Sequence, residues 1–421
     1  MLRALTCVSQ SYDWGKLGSS SAVAILRAAG TGLSTDETIP YAEYWFGTHP
    51  SGPSRLRDED GALLHDWLLA HPDVLGVAPY AAGSALPYLL KVLSVGKALS
   101  IQTHPDAARA VVLHATRPDL YKDGNHKPEM ALALTPFDAL CSFRSPQDAA
   151  AQLRRAPELL TLAGALASEL LIAAGNAGDT VAYAIALKPW FAALCGASPA
   201  DVKLACTALT SRLALPAPTP PPLPPSFPSG VTPLDADDVA SRLLAQYPDD
   251  VGVFAPYFLN ALTLAPGVGL FLGAGEPHAY LSGDCVEVMA CSDNVIRAGL
   301  TPKFKDAETL IEMLTYNVSG VPAVVCGAPA KEPHTLLYAC PVPEFALDAV
   351  LLPAGSATYL RIGPSAAILV VFKGDGVAID ADGVRTPLSA GAVWLQPATA
   401  GVRLEAGASG LQIYRSAAAT V

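Results

Sequence analysis

Three short segments of the sequence carry residue types that bind metal ions in proteins. Gln102 and His104 lie in the first segment, Glu129 in the second and His278 in the third. Because Gln102 and His104 are two residues apart, their side chains leave the same face of a strand and can bind one cation together. Glu129 and His278 must then come from other strands. Two imidazoles, one amide oxygen and one carboxylate suit a zinc-like ion with one position left open for water or substrate.

The length and composition indicate a folded protein with more than one core. The 421 residues suggest two or three domains, and a chain that is 51% hydrophobic and 15% charged is not a disordered one. No stretch reaches ~18 uninterrupted apolar residues, which is the length of a membrane-spanning helix. The first ten residues hold too short an apolar run for a secretory signal. We therefore expect a cytoplasmic protein with no membrane partner.

The net charge argues against a nucleic-acid-binding protein, and the cysteine spacing argues against a disulfide-rich one. A net charge of −11 leaves no broad basic face, so we expect no nucleic-acid partner. An anionic small molecule is compatible with this charge if a local cluster of lysine and arginine holds it. The eight cysteines include no Cys-X-X-Cys pair and are typical of reduced, buried thiols in a chain of this length.

The middle of the chain has a helical pattern that interrupts a β-rich one. Up to about residue 145, short strands alternate with turns rich in glycine, proline, aspartate and asparagine. Ser145 and Pro146 then begin an Ala/Leu-rich helical stretch that extends to about residue 174. A second helical stretch covers residues 189–213.

A proline-rich segment and a β-rich tail follow. Residues 215–228 hold too many prolines for a packed helix or a central strand, so they are predicted to form an exposed loop. The alternative is a docking site for a proline-binding module. Strands return from residue 256, and after residue 321 short strands and turns resemble a β-sandwich or jelly roll.

Several segments, in sequence order, resemble the type I mannose-6-phosphate isomerases, also called phosphomannose isomerases, which are zinc enzymes of the cupin superfamily. Besides the three segments with metal-type residues, the matching segments are residues 10–15, 41–50, 86–93, 283–290 and 292–303. The resemblance runs from residue 10 to about residue 316 and is weakest in the helical and proline-rich part. One segment alone is weakly specific, but their combination in this order is highly specific.

The resemblance implies a mainly β fold with a helical insertion. The implied domains are a catalytic cupin domain (1–145 plus 235–320), a helical insertion with the proline-rich loop (146–234) and a C-terminal jelly-roll domain (321–421). The implied ligands of one zinc ion per chain are Gln102, His104, Glu129 and His278. The implied reaction interconverts mannose 6-phosphate and fructose 6-phosphate by proton transfer between carbons 1 and 2. It would feed GDP-mannose synthesis for protein glycosylation. We expect a monomer whose partner is a small sugar phosphate.

The reaction needs a base, and the sequence offers two candidates. Glu287 follows shortly after His278 and is the first candidate for the base or for a carboxylate that binds a sugar hydroxyl. The alternative is an exposed carboxylate. Lys127, two residues before Glu129, shares a face with that ligand and is the second candidate. Zinc would either polarise the sugar oxygens or orient the substrate, and the sequence does not choose between these roles.

Cations must balance the charge of the substrate. Arg297 lies in an otherwise apolar run, where an unpaired arginine is costly. This favours a contact with the phosphate or with charge near the reacting carbons, and a buried structural ion pair is the alternative. Lys91, Ser100 and Lys303 match the family's phosphate-binding positions, although lysines usually lie on solvated faces.

Other residues near the matching segments have supporting roles by the same resemblance. Trp14 and Glu43 match positions in the pocket wall, and a core position is the alternative for Trp14. His49 and His126 are not ligands by resemblance, so we interpret them as residues that support the ligands or the fold.

Two rival functions explain less of the sequence. Cupin metal oxygenases typically carry three histidines and a carboxylate, whereas Gln102 stands here in place of a histidine. A non-catalytic cupin that binds or stores a ligand gives no reason for Glu287, Lys127 and Arg297 around an open metal site. The isomerase hypothesis accounts for all of these residues.

Overall fold

The structure is a computed structural model that describes residues 1–76, 85–215, 227–320 and 322–419. Most of the predicted proline-rich loop, residues 216–226, lies outside the described residues.

Strands and helices are numbered here in chain order within the described residues. The strands are β1 Arg3–Thr6, β2 Val8–Gln10, β3 Lys16–Leu17, β4 Pro40–Tyr41, β5 Glu43–Gly47, β6 Arg55–Leu56, β7 Tyr88–Val95, β8 Ile101–Thr103, β9 Glu129–Ala133, β10 Phe137–Phe143, β11 Val231–Pro233, β12 Leu259–Leu264, β13 Val268–Leu272, β14 His278–Ala290, β15 Ile296–Gly299, β16 Val324–Cys326, β17 Ala328–Pro329, β18 Thr335–Ala339, β19 Ala346–Leu352, β20 Ala357–Leu360, β21 Ala367–Ile379, β22 Arg385–Ser389, β23 Val393–Gln396 and β24 Val402–Ala417. The α-helices are α1 Ala22–Thr31, α2 Leu64–Ala70, α3 Pro72–Leu75, α4 Ala107–Thr116, α5 Pro146–Leu153, α6 Pro157–Leu162, α7 Ala165–Ala177, α8 Thr180–Cys195, α9 Pro199–Leu213, α10 Ala236–Gln246 and α11 Ala307–Met313. Two 3₁₀ helices cover Gly18–Ser20 and Val251–Tyr257.

Two large antiparallel sheets form the body of the described chain. In the first, the strand order β11-β12-β10-β14-β7-β5-β2 is joined by β8, β9, β13, β15 and β16. In the second, the order is β17-β18-β19-β24-β21-β23-β1-β6, with β20 and β22 alongside. The predicted mainly β fold with a helical insertion is confirmed. The N-terminal strand β1 pairs with β23, so it lies in the same sheet as the C-terminal strands. The predicted domain boundaries stay a prediction.

The apolar faces of the two sheets meet in a shared core. Phe46 and Tyr88 from the first sheet pack with Ile368 and other apolar residues of the second. The Tyr88 hydroxyl donates to the carbonyls of Ala366 and Ser416, at 3.1 and 2.8 Å, so this buried polar group is satisfied across the interface.

The central strand β7 is buried along its whole length. Its sequence, YLLKVLSV, is continuously apolar except for Lys91 and Ser94, as expected for a strand covered on both faces. A buried lysine is costly without a counter-charge, so Lys91 must have an anionic partner nearby.

The neighbouring strand β14 changes partners at a glycine. Its first residues pair with β8 and β10, and its second half pairs with β7 and β9. Gly283 lies at the change with φ +113°, and a Cβ there would lie 2.6 Å from the Pro136 carbonyl oxygen. With this break, one strand contributes both His278, which lies beside Glu129, and Glu287, which lines a cleft next to it.

The helical insertion begins as predicted and then departs from the prediction. Ser145 caps α5 by accepting from the Asp148 N–H, and Pro146 is the first helical residue. The stretch to about residue 174 is helical but divided, because α5 ends at Leu153 and Pro157 begins α6. The second stretch begins at Thr180 and not at residue 189, since Asp179 caps α8 and Pro189 lies inside it.

The helical insertion is tied to the chain that follows it by a cluster of ion pairs. Asp237 on α10 accepts from Arg155, Arg212 and the Tyr257 hydroxyl, at 2.6, 3.1 and 2.6 Å. Arg212 also donates to Glu158 at 2.9 Å. Side chains from both ends of the insertion are therefore held at one point.

Two long strands in the second sheet run through a region for which the sequence predicted short strands and turns. They are β21, Ala367–Ile379, and β24, Val402–Ala417. Gly374, with φ +81°, lies within a register shift between the two strands, and a Cβ there would meet the Gly410 carbonyl oxygen. The bulge bends the strand and lets pairing continue, so these glycines do not end the strands.

None of the described helices is by itself long and apolar enough to cross a membrane. The pair α8 and α9, bent by 102°, meets the requirement by length and composition alone.

Candidate active site

Three of the four predicted metal ligands, His104, Glu129 and His278, converge on one buried point. Glu129 Oε2 lies 3.4 Å from His104 Nε2 and 3.5 Å from His278 Nε2. The Gln102 amide nitrogen lies 3.4 Å from His278 Nε2, and Gln102 and His278 are opposite each other in the pairing of β8 with β14. Within the described part of the chain, His104, Glu129 and His278 are the group found with metal-ligand spacing.

Backbone carbonyls fix the tautomer of both imidazoles. His104 Nδ1 donates to the Asn294 carbonyl at 2.7 Å, and His278 Nδ1 donates to the Glu276 carbonyl at 3.0 Å. Because a carbonyl only accepts, Nδ1 of each ring carries a hydrogen, and the tautomer that leaves Nε2 free for a metal is the one selected. Both Nε2 atoms face the Glu129 carboxylate.

Lys127 and burial set the charges of this group. Burial by itself raises the pKa of Glu129, but the Lys127 ammonium, 2.7 Å from Oε1, and the imidazoles outweigh it and hold that pKa well below its usual value. Burial lowers the pKa of His104 to about 4, so this ring is neutral. Glu129 is therefore a carboxylate whose second oxygen, Oε2, is free to bind another cation.

The donor set fits a divalent metal ion. His104 Nε2 and Glu129 Oε2 are buried with no hydrogen-bond partner in the described residues, which is costly unless a cation lies between them. Turning the Gln102 amide over brings its oxygen to the same point, since the two ends of the amide have the same shape. Two neutral imidazoles, a carboxylate and an amide oxygen match zinc, with Glu129 alone supplying negative charge.

A second charged cluster lies beside the first. Lys91 Nζ donates to Glu287 Oε2 at 3.0 Å and lies 3.6 Å from Glu43 Oε2, and all three side chains are buried. The Trp45 indole N–H donates to the same Glu43 oxygen. Burial raises the pKa of Glu287 and Lys91 offsets only part of this rise, so the net pKa lies above its usual value. The carboxylates keep the pKa of Lys91 above its usual value despite burial.

Both clusters open into a cleft of about 570 Å³. Ten of the twelve residues proposed from the sequence line it: Trp14, Glu43, Lys91, Ser100, Gln102, Lys127, Glu129, Glu287, Arg297 and Lys303. The other two, His104 and His278, lie buried behind Glu129. The structure therefore brings the whole proposed set together, and the role of each residue stays a prediction at this point.

Arg297 lines the cleft, and its guanidinium has no counter-charge among the described residues. This side chain makes no hydrogen bond or ion pair with any of them, and burial lowers its pKa without removing its charge. A structural ion pair, the alternative for Arg297, is therefore not formed with these residues. Lys303 is exposed at the rim, and Lys97 lies 4.2 Å from the centre of the Tyr247 ring. These three cationic residues add positive charge to the cleft, whereas Lys91 and Lys127 are already paired with the Glu43, Glu129 and Glu287 carboxylates.

Two further residues predicted from the sequence, Ser100 and Trp14, lie in the wall of the cleft. Ser100 is half-buried in the wall, and Trp14 is half-buried beneath Tyr12, with the rings 5.9 Å apart. The Trp14 side chain also packs against a core cluster, so both of its proposed roles fit this position. Lys91 lies deeper and is already matched by two carboxylates, so its role as a phosphate ligand stays a prediction.

Several residues that line the cleft have no role predicted from the sequence. Tyr280 lines it with a buried hydroxyl, and burial together with Glu287 and Glu129 raises the pKa of that hydroxyl well above its usual value. Tyr280 is two residues after His278, so strand alternation was a usable signal. Asp293 also lines the cleft and lies 3.3 Å from His49 Nε2. That pairing joins segments far apart in the sequence, so no sequence pattern predicts it.

Comparisons with known proteins point to one family. The family model "Phosphomannose isomerase type I, catalytic domain" matches residues 2–146. Mannose-6-phosphate isomerase 1 of Arabidopsis thaliana is 40% identical over 422 residues, which cover 99% of this chain and 93% of that protein. Mannose-6-phosphate isomerase of Homo sapiens is 40% identical over 386 residues, which cover 89% and 88% of the two chains.

A solved structure extends the likeness to the fold. A crystal structure of mannose 6-phosphate isomerase bound with zinc and yttrium has a TM-score of 0.79 and 30% sequence identity, and the match covers 100% of both chains. The predicted cupin-type fold is thereby confirmed. The chain belongs to the type I phosphomannose isomerase family of enzymes.

Proposed function

We propose that this chain interconverts mannose 6-phosphate and fructose 6-phosphate with one zinc ion per chain. The observation that carries the proposal is one cleft that holds Arg297, a cation without a partner among the described residues, and the ion-paired buried carboxylate Glu287, beside a metal-type donor set. A sugar phosphate needs all three: an anion contact, a base and a centre that holds its oxygens.

The proposed zinc ligands are Gln102, His104, Glu129 and His278. When bound there, zinc would supply positive charge that draws electron density from a sugar oxygen. Lys127 already occupies one oxygen of Glu129, so the chain offers this carboxylate to the metal through Oε2 alone. The two backbone carbonyls keep both imidazole lone pairs aimed at the same point.

The proposed base is Glu287. In the direction of fructose 6-phosphate, it takes the proton from carbon 2, the bonding electrons form a double bond between carbons 1 and 2, and the oxygen on carbon 1 gains a proton. The resulting cis-enediol then loses the proton of the oxygen on carbon 2 as carbon 1 receives one. Lys91 holds Glu287 Oε2, so Oε1 is the atom that exchanges the proton. A raised pKa suits this role, because a base acts best when its pKa approaches the working pH.

Two cations have proposed roles in stabilising the charge that develops on the oxygens. The Lys127 ammonium lies beside the metal-type group and can donate to an enediolate oxygen. Arg297 has a planar fork of donors and no competing carboxylate among the described residues, so it is proposed to contact the reacting sugar phosphate. Lys303 and Ser100 are proposed to hold the phosphate group, and Trp14 and Glu43 to wall the sugar.

The test is an isomerase assay on the purified protein. With mannose 6-phosphate as substrate, we expect formation of fructose 6-phosphate, loss of activity after prolonged chelation and recovery when zinc is added back. Full activity in a preparation that elemental analysis shows to be free of metal would refute the zinc part of the proposal. Absence of activity in a zinc-loaded, folded preparation would refute the whole.

The proposal extends to the use of the product. Mannose 6-phosphate formed in the reverse direction would feed GDP-mannose synthesis for protein glycosylation. We expect depletion of the protein in its source cells to lower the GDP-mannose pool, and an unchanged pool would contradict this step. The monomeric state and the cytoplasmic location expected from the sequence stay predictions.

A further inference from the structure

The orientation of His104 depends on one backbone carbonyl. His104 Nδ1 donates to the Asn294 carbonyl at 2.7 Å, and this contact leaves the Nε2 lone pair for the metal position. Asn294 belongs to no strand or helix, because it lies in the loop between β14 and β15. Something other than a sheet ladder must therefore hold its carbonyl in place.

The Asp123 carboxylate holds that loop at three consecutive residues. It accepts from the Ser292 hydroxyl at 2.8 Å, from the Asp293 N–H at 2.8 Å and from the Asn294 amide at 3.2 Å. It also accepts from the N–H of Asn125 at 2.9 Å, within its own segment.

The Asn294 side chain makes further hydrogen bonds between this loop and the segment that contains Asp123. Its amide donates to the carbonyls of Asp123 and Asn125, at 2.8 and 2.9 Å. Ser292 accepts from the Asn294 N–H at 3.1 Å while its hydroxyl is bound to Asp123. The segment that leads to Lys127 and Glu129 and the loop that leads to Arg297 are therefore connected by the Asp123 carboxylate and by the Asn294 amide.

We propose that Asp123 is a positioning residue for the metal centre, acting on His104 through the Ser292–Asn294 loop. Asp123 does not contact the metal position. It fixes the carbonyl that selects the His104 tautomer, and supporting contacts of this kind raise metal affinity by orienting the ligand in advance. The inference rests on the proposed zinc site, and the experiment below separates the failure of one from the failure of the other.

A carboxylate is required here because every group around it donates. Asp123 receives two backbone N–H groups, a hydroxyl and a side-chain amide, and only a group with two acceptor oxygens satisfies them together. Asp123→Asn keeps the shape but turns one oxygen into a donor that faces other donors. We expect this change to loosen the loop without removing a ligand.

The experiment measures zinc affinity directly. Metal-free parent protein and the Asp123→Asn variant are titrated with zinc in competition with a chromogenic chelator. We expect the zinc Kd of the variant to be ~10–100-fold weaker, the range seen when an outer contact of a ligand is lost. We also expect its kcat to recover at saturating zinc, because all four ligands remain.

A matched control separates positioning from general loss of stability. Asp138 also collects several donors, from Thr263, Ser282 and Arg242 at 2.6, 3.0 and 2.7 Å, but it does not line the cleft. Asp138→Asn should lower the thermal stability of the metal-free protein and leave the zinc Kd unchanged. An equal weakening of zinc binding in Asp138→Asn would overturn the inference.

The remaining outcomes each decide the matter. If the parent binds zinc and Asp123→Asn binds it within about threefold of the parent, the positioning role is refuted and the proposed function stands. If the parent binds no zinc, both fail. If Asp123→Asn does not fold, Ser292→Ala replaces it, since it removes one link of the same connection. That variant should weaken zinc binding in the same direction, and an unchanged Kd would count against the inference.

Discussion

Lys91 and Glu287 lie opposite each other on neighbouring strands, with Lys91 Nζ 3.0 Å from Glu287 Oε2 inside the protein. A lysine in a strand buried on both faces is explained by this carboxylate and by Glu43 beside it. The pair gives the cleft a buried carboxylate whose pKa is raised by burial and partly lowered again by Lys91, and its electrostatics can be tested.

We predict that Lys91→Met moves the acid limb of the pH profile to higher pH. Burial raises the pKa of Glu287 and Lys91 lowers it, so removal of the ammonium leaves burial unopposed. The base must be deprotonated to act, so kcat/KM falls as the pH drops through its pKa. In the variant this fall should begin about one pH unit or more higher, the scale of a nearby opposite charge. The measurement is kcat/KM against pH at equal zinc content. If the acid limb does not move, Glu287 is not the group whose titration produces it.

We predict that Glu287→Gln stops proton exchange at carbon 2. Loss of a general base costs ~10²–10⁴ in rate, so kcat should fall by that factor. In deuterated water, the parent should exchange the hydrogen on carbon 2 of mannose 6-phosphate, as followed by proton NMR, and the variant should not. The comparison variant is Lys127→Met. If exchange persists in Glu287→Gln and disappears in Lys127→Met, then Lys127 is the base.

We predict that Arg297→Lys lowers kcat by ~10²-fold or more, the scale of removing a donor aimed at transition-state charge. Lysine keeps the charge but loses the planar fork. If Arg297 only binds phosphate in the ground state, KM rises while kcat holds. Arg385→Lys, at an exposed pair with Glu405, is the control and should change neither constant. Near-normal kcat and KM in a stable, zinc-loaded Arg297→Lys protein would refute both roles.

We predict that His278→Ala abolishes zinc binding at micromolar metal. The loss of one ligand leaves Glu129 Oε2 with a single imidazole neighbour and weakens affinity by more than the ~10–100-fold of an outer contact. Bound zinc is measured by elemental analysis after dialysis. His65→Ala is the control, because His65 pairs with Asp66 at the surface. Stoichiometric zinc in His278→Ala would remove His278 from the ligand set.

We predict that Asp237→Asn destabilises the protein at neutral pH but not in acid. Burial raises the pKa of Asp237, but hydrogen bonds from Tyr257 and Arg212 and the charge of Arg155 outweigh it, so the folded pKa lies below the ordinary 3.8. A lowered pKa stabilises the fold above the unfolded value, and this stability is lost as the pH falls through the folded value.

The unfolding free energy of Asp237→Asn should therefore be lower than that of the parent by about 2 kcal/mol at pH 7, on the scale of hydrogen bonds to charged groups. The difference should shrink as the pH falls below about 4. Urea unfolding of the metal-free proteins at both pH values measures it, and a difference that grows in acid would contradict the assignment.

The donor set of the metal centre could be predicted from the sequence because it depends on residue type and short spacing. Gln102 and His104 are two residues apart, as are Lys127 and Glu129, so alternation in an extended chain predicts that each pair faces one side, although His104 follows β8 and Lys127 precedes β9. The capped helix start at Ser145 is equally local, since the cap is made by its own hydroxyl and the N–H of Asp148.

Tertiary structure decided the contacts that join distant segments. The Lys91–Glu287 pair, the unpaired state of Arg297 among the described residues and the hold of Asp123 on the Ser292–Asn294 loop depend on strands far apart in sequence. The break between α5 and α6, the start of α8 at Thr180 and the merged strand β21 were also not predicted, because caps and bulges compete with periodicity. Residue type and spacing determine which groups can do chemistry, whereas burial and register determine which charges meet.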